Sequence, residues 1–392
     1  MAIAVQPRTS IGATESAVSA STWLWHAYTV VFAATCVMVG VYWDISWHMS
    51  IGRDTFWTPS HLLIQAGGLI AGLSSGYVAL HTTFRGTDAE REASVSFWGF
   101  RAPLGAWICI WGCGAMLTSA PFDNWWHNAY GLDVQILSPP HTVLALGIAA
   151  IQLGALLMTL ALQNRAGAAA PRRYRVLYAA AAGLLFLNAT IMTTEYHRRV
   201  LMHTPRFYAV ACLVFPFYLV TLARGSRLRW PTTSIAAVYT VVMLAMVWIL
   251  PLFPATPRLG PIYQTVTHMV PPDFPLLLLA PAFVLDLIFQ RAPDTLRGWR
   301  LAALLGAAFF AVFFAAQWSF GSFYNSPASE NWVFASTNYY YALPKTSYAY
   351  RHIFPPVRPT ELARGLALAA GLAVLSSRLG LACGDWLRRV KR

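Results

Sequence analysis

The stretch D-I-S-W-H-M-S-I-G-R-D-T-F-W-T-P-S-H, residues 44–61, joins two strongly apolar segments of the chain. A second stretch of the same kind begins with Asp123 and His127 and ends with His141. Thirteen residues, the last three of them S-P-P, separate the two histidines. Each copy has an Asp and a His four residues apart, and a second His after a Pro-containing turn. Because a carboxylate and two imidazoles are a common set of metal ligands, the duplication predicts two metal sites.

The composition of the 392-residue chain is that of an integral membrane protein. Hydrophobic residues make up 57% and charged residues 11%, whereas soluble globular domains carry about 25% charged residues. The apolar segments are long enough to cross a bilayer as helices. We therefore predict an all-α fold, a polytopic transmembrane helical bundle of about ten spans. The predicted spans are 23–43, 60–82, 103–122, 138–162, 174–194, 205–224, 232–252, 272–290, 299–320 and 362–381.

The net charge of +13 comes from arginines that cluster between the apolar segments. This distribution is typical of a membrane topology signal and argues for the lipid bilayer, and against nucleic acid, as the partner. Loops after even-numbered spans are richer in arginine than loops after odd-numbered ones, with Arg198 and Arg199 as the exception. The bias predicts that both termini are cytoplasmic and that both motifs lie on the outer side. We expect a multi-pass protein of a bacterial-type inner (cytoplasmic) membrane.

Three parts follow from the distribution of polar and apolar residues. The Ser/Ala/Thr-rich residues 1–22 are predicted to be a disordered lead-in, and 23–165 a four-helix membrane unit that holds both motifs. Residues 166–392 are predicted to be a six-helix membrane unit whose outer loop, 321–361, is rich in aromatic residues. That loop suits an aromatic belt at the membrane interface, and a docking surface for an outer partner is the alternative.

The first motif can place its three candidate ligands around one ion. If the first span continues as a helix through Asp44 and His48, both side chains project from one face. His61 follows Thr58-Pro59-Ser60, which is a helix-start signal. One Asp and two His leave coordination positions open, as a catalytic metal requires. The alternative is a structural duplication whose polar residues only anchor helix ends.

The second motif repeats this arrangement with Asp123, His127 and His141, the last behind Ser138-Pro139-Pro140. The ligand type alone does not choose the metal, because carboxylate and imidazole suit iron, copper and zinc.

Residues 44–61 resemble the metal-site segment of the C subunit of copper membrane monooxygenases, which comprise particulate methane, ammonia and short-alkane monooxygenases. The R-D-T and T-P-S-H sequences within the stretch are part of the resemblance. It implies that Asp44, His48 and His61 bind copper and form the catalytic site. The family's second site has Asn, His and His at the spacing of 123–141, so Asp123 departs from that pattern.

The resemblance is close over about residues 30–165, and 270–350 faintly resembles the A subunit of the same family. It implies a membrane-embedded copper-dependent monooxygenase, or its metal-binding subunit, that oxidises a small apolar substrate or ammonia with O2. It also implies a separate soluble copper-domain subunit on the outer side and a trimeric homo-oligomer.

Two other classes of function stay open. One is a copper-handling membrane protein, either a transporter or an assembly factor, and the other is a non-catalytic metal-binding subunit. Cys109 and Cys113 are four residues apart and suit either a soft metal or plain helix packing. Further polar residues have no role that the sequence decides: Glu195, His197, His203, His268 and Asp286.

Overall fold

A computed structural model describes residues 11–52, 55–131, 138–258, 266–293, 295–334 and 356–391, with side chains from Trp23 onward except that of Ala169. Over these residues the fold is all-α, as predicted, with a single two-stranded hairpin, β1 (Val95–Phe97) and β2 (Phe100–Ala102). The helices are α1 (Ile11–Ser50), α2 (Pro59–Phe84), α3 (Asp88–Glu92), α4 (Leu104–Tyr130), α5 (Pro139–Ala166), α6 (Arg172–Met192), α7 (Pro205–Gly225), α8 (Pro231–Ile249), α9 (Leu279–Arg291), α10 (Gly298–Tyr324) and α11 (Pro359–Leu387).

Nine helices within the described ranges are long and apolar enough to cross a membrane. The chain is therefore a multi-pass membrane protein, and its helices form a polytopic bundle. The predicted span 272–290 is not one continuous helix. The only helix there in the described structure is α9, which is 13 residues long. Three prolines, at 271, 272 and 275, lack the backbone N–H that a continuous helix needs.

Side chains satisfy the backbone of this non-helical segment. Leu276 N–H donates to the Tyr239 hydroxyl at 2.9 Å, and Leu277 N–H donates to Oε1 of Gln317 at 3.0 Å. Irregular backbone at membrane depth is tolerated only where protein groups take up its hydrogen bonds. The segment before α9 is therefore built into the protein rather than exposed to lipid.

The described chain divides into two compact units. Unit 1 comprises Met1–Val37, Gln65–Ala181 and Val390–Arg392, and unit 2 comprises Met38–Ile64 and Ala182–Arg389. We predicted a boundary near residue 165 with both motifs in the first unit. Of the two compact units, unit 2 contains the first motif and unit 1 contains the second.

The reason for this division lies at the C-terminal end of α1. The Ser46 hydroxyl donates to the Val270 carbonyl at 2.6 Å, and Val270 N–H donates to the Ser50 hydroxyl at 2.7 Å. Just beyond the helix, Arg258 N–H donates to the Ile51 carbonyl at 2.9 Å. These long-range hydrogen bonds join the last turns of α1 to the rest of unit 2.

Two further predictions concern the N-terminal lead-in and the aromatic loop. Residues 1–10 of the predicted disordered lead-in lie outside the described residues, and 11–22 are helical as the first part of α1. Most of the predicted aromatic loop, 335–355, also lies outside them. In the described part, the Phe334 ring packs against the rings of Phe274 and Phe323, and the ring centroids are 5.0 Å apart in both pairs.

Small residues bring helices close together in unit 1. A Cβ at Gly105 would lie 2.5 Å from the Gly154 carbonyl oxygen, and one at Gly147 would lie 2.9 Å from that of Gly112. Such contacts are typical of packed membrane helices, where small residues let backbones approach. They set α4 against α5, the two helices that carry the second motif.

Candidate metal centre

The first motif brings its three predicted ligands together. As predicted, α1 continues through Asp44 and His48, and α2 begins at Pro59, just before His61. Nε2 of His61 lies 3.0 Å from Oδ1 of Asp44, and Nε2 of His48 lies 3.7 Å from Oδ2. One ligand atom from each residue lies within 4.8 Å of the others. Ligands about 2.0–2.2 Å from one ion lie roughly 3–3.5 Å apart, so these separations suit a shared metal.

A backbone carbonyl orients the His61 ring. Nδ1 of His61 lies 2.9 Å from the Thr55 carbonyl oxygen. Because a carbonyl only accepts, Nδ1 carries the proton and Nε2 of the neutral ring presents a lone pair to Asp44. Two acceptor atoms 3.0 Å apart repel unless a cation, either a proton or a metal ion, lies between them. The arrangement therefore fits a metal ligand pair.

The carbonyl that orients the ring is itself held by a tight turn. Thr58 N–H donates to the Thr55 carbonyl at 2.9 Å, and Thr55 N–H donates to the Thr58 hydroxyl at 2.9 Å. Partners of this kind, which orient a metal-binding histidine, tune the affinity of the site.

Two residues of this site were not predicted from the sequence. The Ser60 hydroxyl donates to Oδ1 of Asp44 at 2.8 Å and so helps to orient the carboxylate. Gly40 lies one helical turn before Asp44, and a Cβ there would lie 3.0 Å from Ile64 N and 3.2 Å from the Ser60 carbonyl. The missing side chain lets α1 and α2 approach closely where Asp44 meets Ser60.

Exposure and charge also suit a cation. The His48 side chain is 49% exposed and that of Asp44 only 21%, so the site is open on the His48 side. The triad lies beside the last turn of α1, where free carbonyl groups favour positive charge. The arrangement can bind a divalent or monovalent transition metal and leave coordination positions for a further ligand.

The second motif forms a similar but looser cluster in unit 1. Nε2 of His127 lies 3.3 Å from Oδ2 of Asp123, and Nε2 of His141 lies 3.5 Å from Oδ1. Nδ1 of His127 faces the Gly131 carbonyl oxygen at 3.2 Å, which leaves Nε2 toward Asp123 as in the first copy. As predicted, Ser138 precedes α5, and its hydroxyl accepts from His141 N–H.

One atom of the second cluster is short of hydrogen-bond partners. Oδ1 of Asp123 is shielded from solvent and accepts no hydrogen bond within the described residues. An unsatisfied buried carboxylate oxygen is costly unless a cation neutralises it. This fits a metal ligand, although among the residues the structure describes only the first triad has all three ligand atoms mutually within 4.8 Å.

The polar residues after α6 have structural partners. Glu195 pairs with Arg198, and Nε2 of His203 faces the Trp318 carbonyl and the Ser322 hydroxyl at 3.2 and 3.1 Å. His197 is buried against Phe207 and Phe215. Burial lowers the pKa of His197 to about 4, because the charged imidazolium loses its hydration.

The remaining candidates are also bound within the protein. The buried Asp286 carboxylate accepts from the N–H groups of Thr232 and Thr233, at 3.0 and 2.8 Å, and so caps the start of α8. His268 is exposed, and its Nδ1 lies 3.0 Å from the Thr267 hydroxyl. Cys109 and Cys113 are free and buried in helix contacts, which agrees with the packing interpretation.

Comparison with known proteins adds no family to this description. The sequence matches no protein-family model, and the searches of curated proteins and of solved structures return no match.

Proposed function

We propose that the chain is a membrane-embedded copper-dependent monooxygenase, or the metal-binding subunit of one. Asp44, His48 and His61 would be the catalytic metal site. The substrate would be a small apolar molecule or ammonia. The observation that carries the proposal is the convergence of these three side chains, with acceptor atoms facing one another, on a segment that resembles a copper-site segment.

The residues around the site have separable tasks in this proposal. Asp44 supplies the negative charge that offsets a bound cation, and Ser60 holds its carboxylate by the 2.8 Å hydrogen bond. Thr55 keeps the proton on Nδ1 of His61, so that Nε2 presents the lone pair that would bind the metal. His48, with its side chain 49% exposed, lies on the side from which O2 and substrate would approach.

The proposed reaction inserts one oxygen atom of O2 into a C–H or N–H bond and reduces the other to water. It consumes two electrons from an external reductant and two protons. Copper, when bound, would supply the redox chemistry that activates O2. The carboxylate of Asp44 and the imidazoles of His48 and His61 would hold the ion and leave coordination positions open.

The second cluster is proposed to be an accessory metal site. Asp123, His127 and His141 offer the same donor atoms, and Oδ1 of Asp123, which accepts no hydrogen bond from a described residue, supports a bound cation. Copper is the metal we propose for both sites, with iron and zinc as the alternatives that the donor atoms allow.

Location and partners are part of the proposal. We place the chain in a bacterial-type inner membrane, with both motifs on the outer side, from the arginine bias of the loops. A separate soluble copper-domain subunit on that side and a trimeric assembly follow from the family resemblance alone.

Metal content and oxygen consumption test this proposal together. Purified protein reconstituted with copper should hold about one copper at the first site, and His48→Ala or His61→Ala should remove it. His268→Ala is the matched control, since His268 is exposed in the same unit. Wild-type protein with reductant should consume O2, and His61→Ala should not.

Two outcomes would contradict the proposal. Unchanged copper content in both variants would refute the site. Bound copper without O2 consumption, with reductant and with any partner subunit that co-purifies, would favour a copper-handling protein or a non-catalytic subunit.

A further inference from the structure

A cavity of about 430 Å³ lies between α1 and α6 in unit 1, and none of its lining residues belongs to either triad. Its lining residues are Tyr28, Arg172, Arg173, Val176, Leu177 and Ala180. We propose that this cavity binds one anionic phospholipid, with the phosphate at the two arginines and the upper part of an acyl chain along the apolar wall.

The two arginines are suited to a phosphate. Arg172 and Arg173 are exposed, and neither forms an ion pair or hydrogen bond with a described residue. The guanidinium carbon of Arg173 lies 5.5 Å from the centroid of the Tyr174 ring. Guanidinium groups bind phosphate oxygens through paired, charge-assisted hydrogen bonds. No acidic residue lines the cavity, so the two positive charges have no counter-charge there.

The shape of the cavity indicates a lipid rather than a free anion. Arg172 is the first residue of a membrane-spanning helix, and Ala180 lies eight residues further along it. At 1.5 Å per residue the lining therefore extends about 12 Å from the helix end into the hydrocarbon. Val176, Leu177 and Ala180 give this deeper part an apolar wall. Tyr28 and Val176 are 48% and 55% exposed, so the cavity opens onto the surface of unit 1.

The charge of the surrounding sequence favours an anionic headgroup over a zwitterionic one. Residues 164–175 contain four arginines and no acidic residue. The arginine bias assigns this loop to the cytoplasmic side, where leaflets are negatively charged and each basic residue near the surface contributes about 1 kcal/mol of attraction. Basic pockets between membrane helices on that side are known to bind anionic lipid headgroups.

The test uses the full chain, purified in a neutral detergent and stripped of lipid. Native mass spectrometry would follow titration with dioleoyl phosphatidylglycerol, with dioleoyl phosphatidylcholine, and with inorganic phosphate. We expect one phosphatidylglycerol to bind with a Kd at least about tenfold below that of phosphatidylcholine. Millimolar inorganic phosphate should not displace it, because the acyl contacts are missing from that ion.

Two variants separate charge from shape. Arg172→Gln/Arg173→Gln should raise the Kd for phosphatidylglycerol at least about tenfold. Arg291→Gln/Arg300→Gln removes the same charge from exposed positions elsewhere and should leave it unchanged. Ala180→Phe fills the apolar part while both arginines remain, and it should abolish lipid binding. The arginine variant and Ala180→Phe change different groups of the cavity. If only one of them folds, as judged by a monodisperse and helical preparation, that variant alone still tests the proposal.

Three results would overturn the proposal. Equal affinity for phosphatidylglycerol and phosphatidylcholine would show that the headgroup charge does not determine binding. Unchanged lipid binding in either cavity variant would show that the lipid does not bind in this cavity. Displacement of the lipid by inorganic phosphate, with undiminished phosphate binding in Ala180→Phe, would make the arginines a free-phosphate site.

Discussion

Nε2 of His61 lies 3.0 Å from Oδ1 of Asp44, although the two residues belong to different helices. The Thr55 carbonyl holds the proton of the ring on the opposite nitrogen, Nδ1. The two facing atoms are therefore both acceptors when the ring is neutral, and they require a cation between them. A metal ion meets that requirement without a change in either helix.

The first prediction concerns the turn that orients His61. Thr58→Ala removes the hydroxyl that accepts from Thr55 N–H and should loosen the carbonyl that faces Nδ1. We expect copper affinity at the first site to fall about 10- to 100-fold, the usual effect of losing such a partner. Competition with a chelator measures this. Thr118→Ala, which removes only a hydroxyl bonded within α4, is the control, and an equal loss there would refute the role of the turn.

A second prediction concerns the distance between α1 and α2. Gly40→Ala places a Cβ 2.7 Å from Cγ1 of Ile64 and 3.0 Å from its backbone N, so the helices must separate. We expect copper at the first site to fall by roughly tenfold or more, as for other changes in groups that position metal ligands. Copper at the second site should be unchanged. Gly76→Ala is the matched control, because nothing lies within 4 Å of a Cβ there.

The charge of the second cluster leads to a third prediction. Asp123→Asn keeps the shape of the side chain but removes the charge that pairs with His127 and His141. Divalent-metal affinity at the second site should drop about tenfold or more, while the first site keeps its copper. Asp88→Asn, an exposed aspartate in the same unit, serves as the control. Tighter metal binding in the Asn variant would contradict our assignment of Asp123.

The buried histidine after α6 leads to a prediction about acid stability. The pKa of His197 is about 4 in the folded protein and about 6.5 in the unfolded chain, so the unfolded state binds more protons between these values. The stability contributed by the neutral ring is complete above about pH 6.5 and is lost progressively as the pH falls toward 4. At pH 5 the loss should be about 2 kcal/mol.

Thermal unfolding in detergent at pH 7.5 and pH 5 measures this loss. His197→Leu cannot be protonated, so its stability should decline less between the two pH values than that of the wild type. His268→Leu, which alters an exposed histidine, should follow the wild type. An identical decline in wild type and His197→Leu would contradict the prediction.

Local rules account for what could be predicted of the site. The spacing of Asp44 and His48 places both on one helix face, and Thr58-Pro59-Ser60 starts the next helix in front of His61. The hydrogen bond from Ser60 and the close approach at Gly40 depend on how α1 meets α2, which no local pattern encodes.

The fold was predictable to a similar depth. Apolar length gave the membrane spans, but the boundary between the units depends on hydrogen bonds such as that between Ser46 and Val270, which are 224 residues apart. The break before α9 could have been read from the prolines at 271, 272 and 275, because each removes a helix hydrogen bond. The cap that Asp286 provides for α8 joins two distant segments and had no sequence signal.

The most direct test of the central claim is an anomalous difference map from crystals of the copper-loaded protein, with data collected above and below the copper edge. We predict a peak that appears only above the edge and lies between Asp44 Oδ1, His48 Nε2 and His61 Nε2. No such peak at the triad, or one that persists unchanged below the edge, would contradict the assignment of a copper site there.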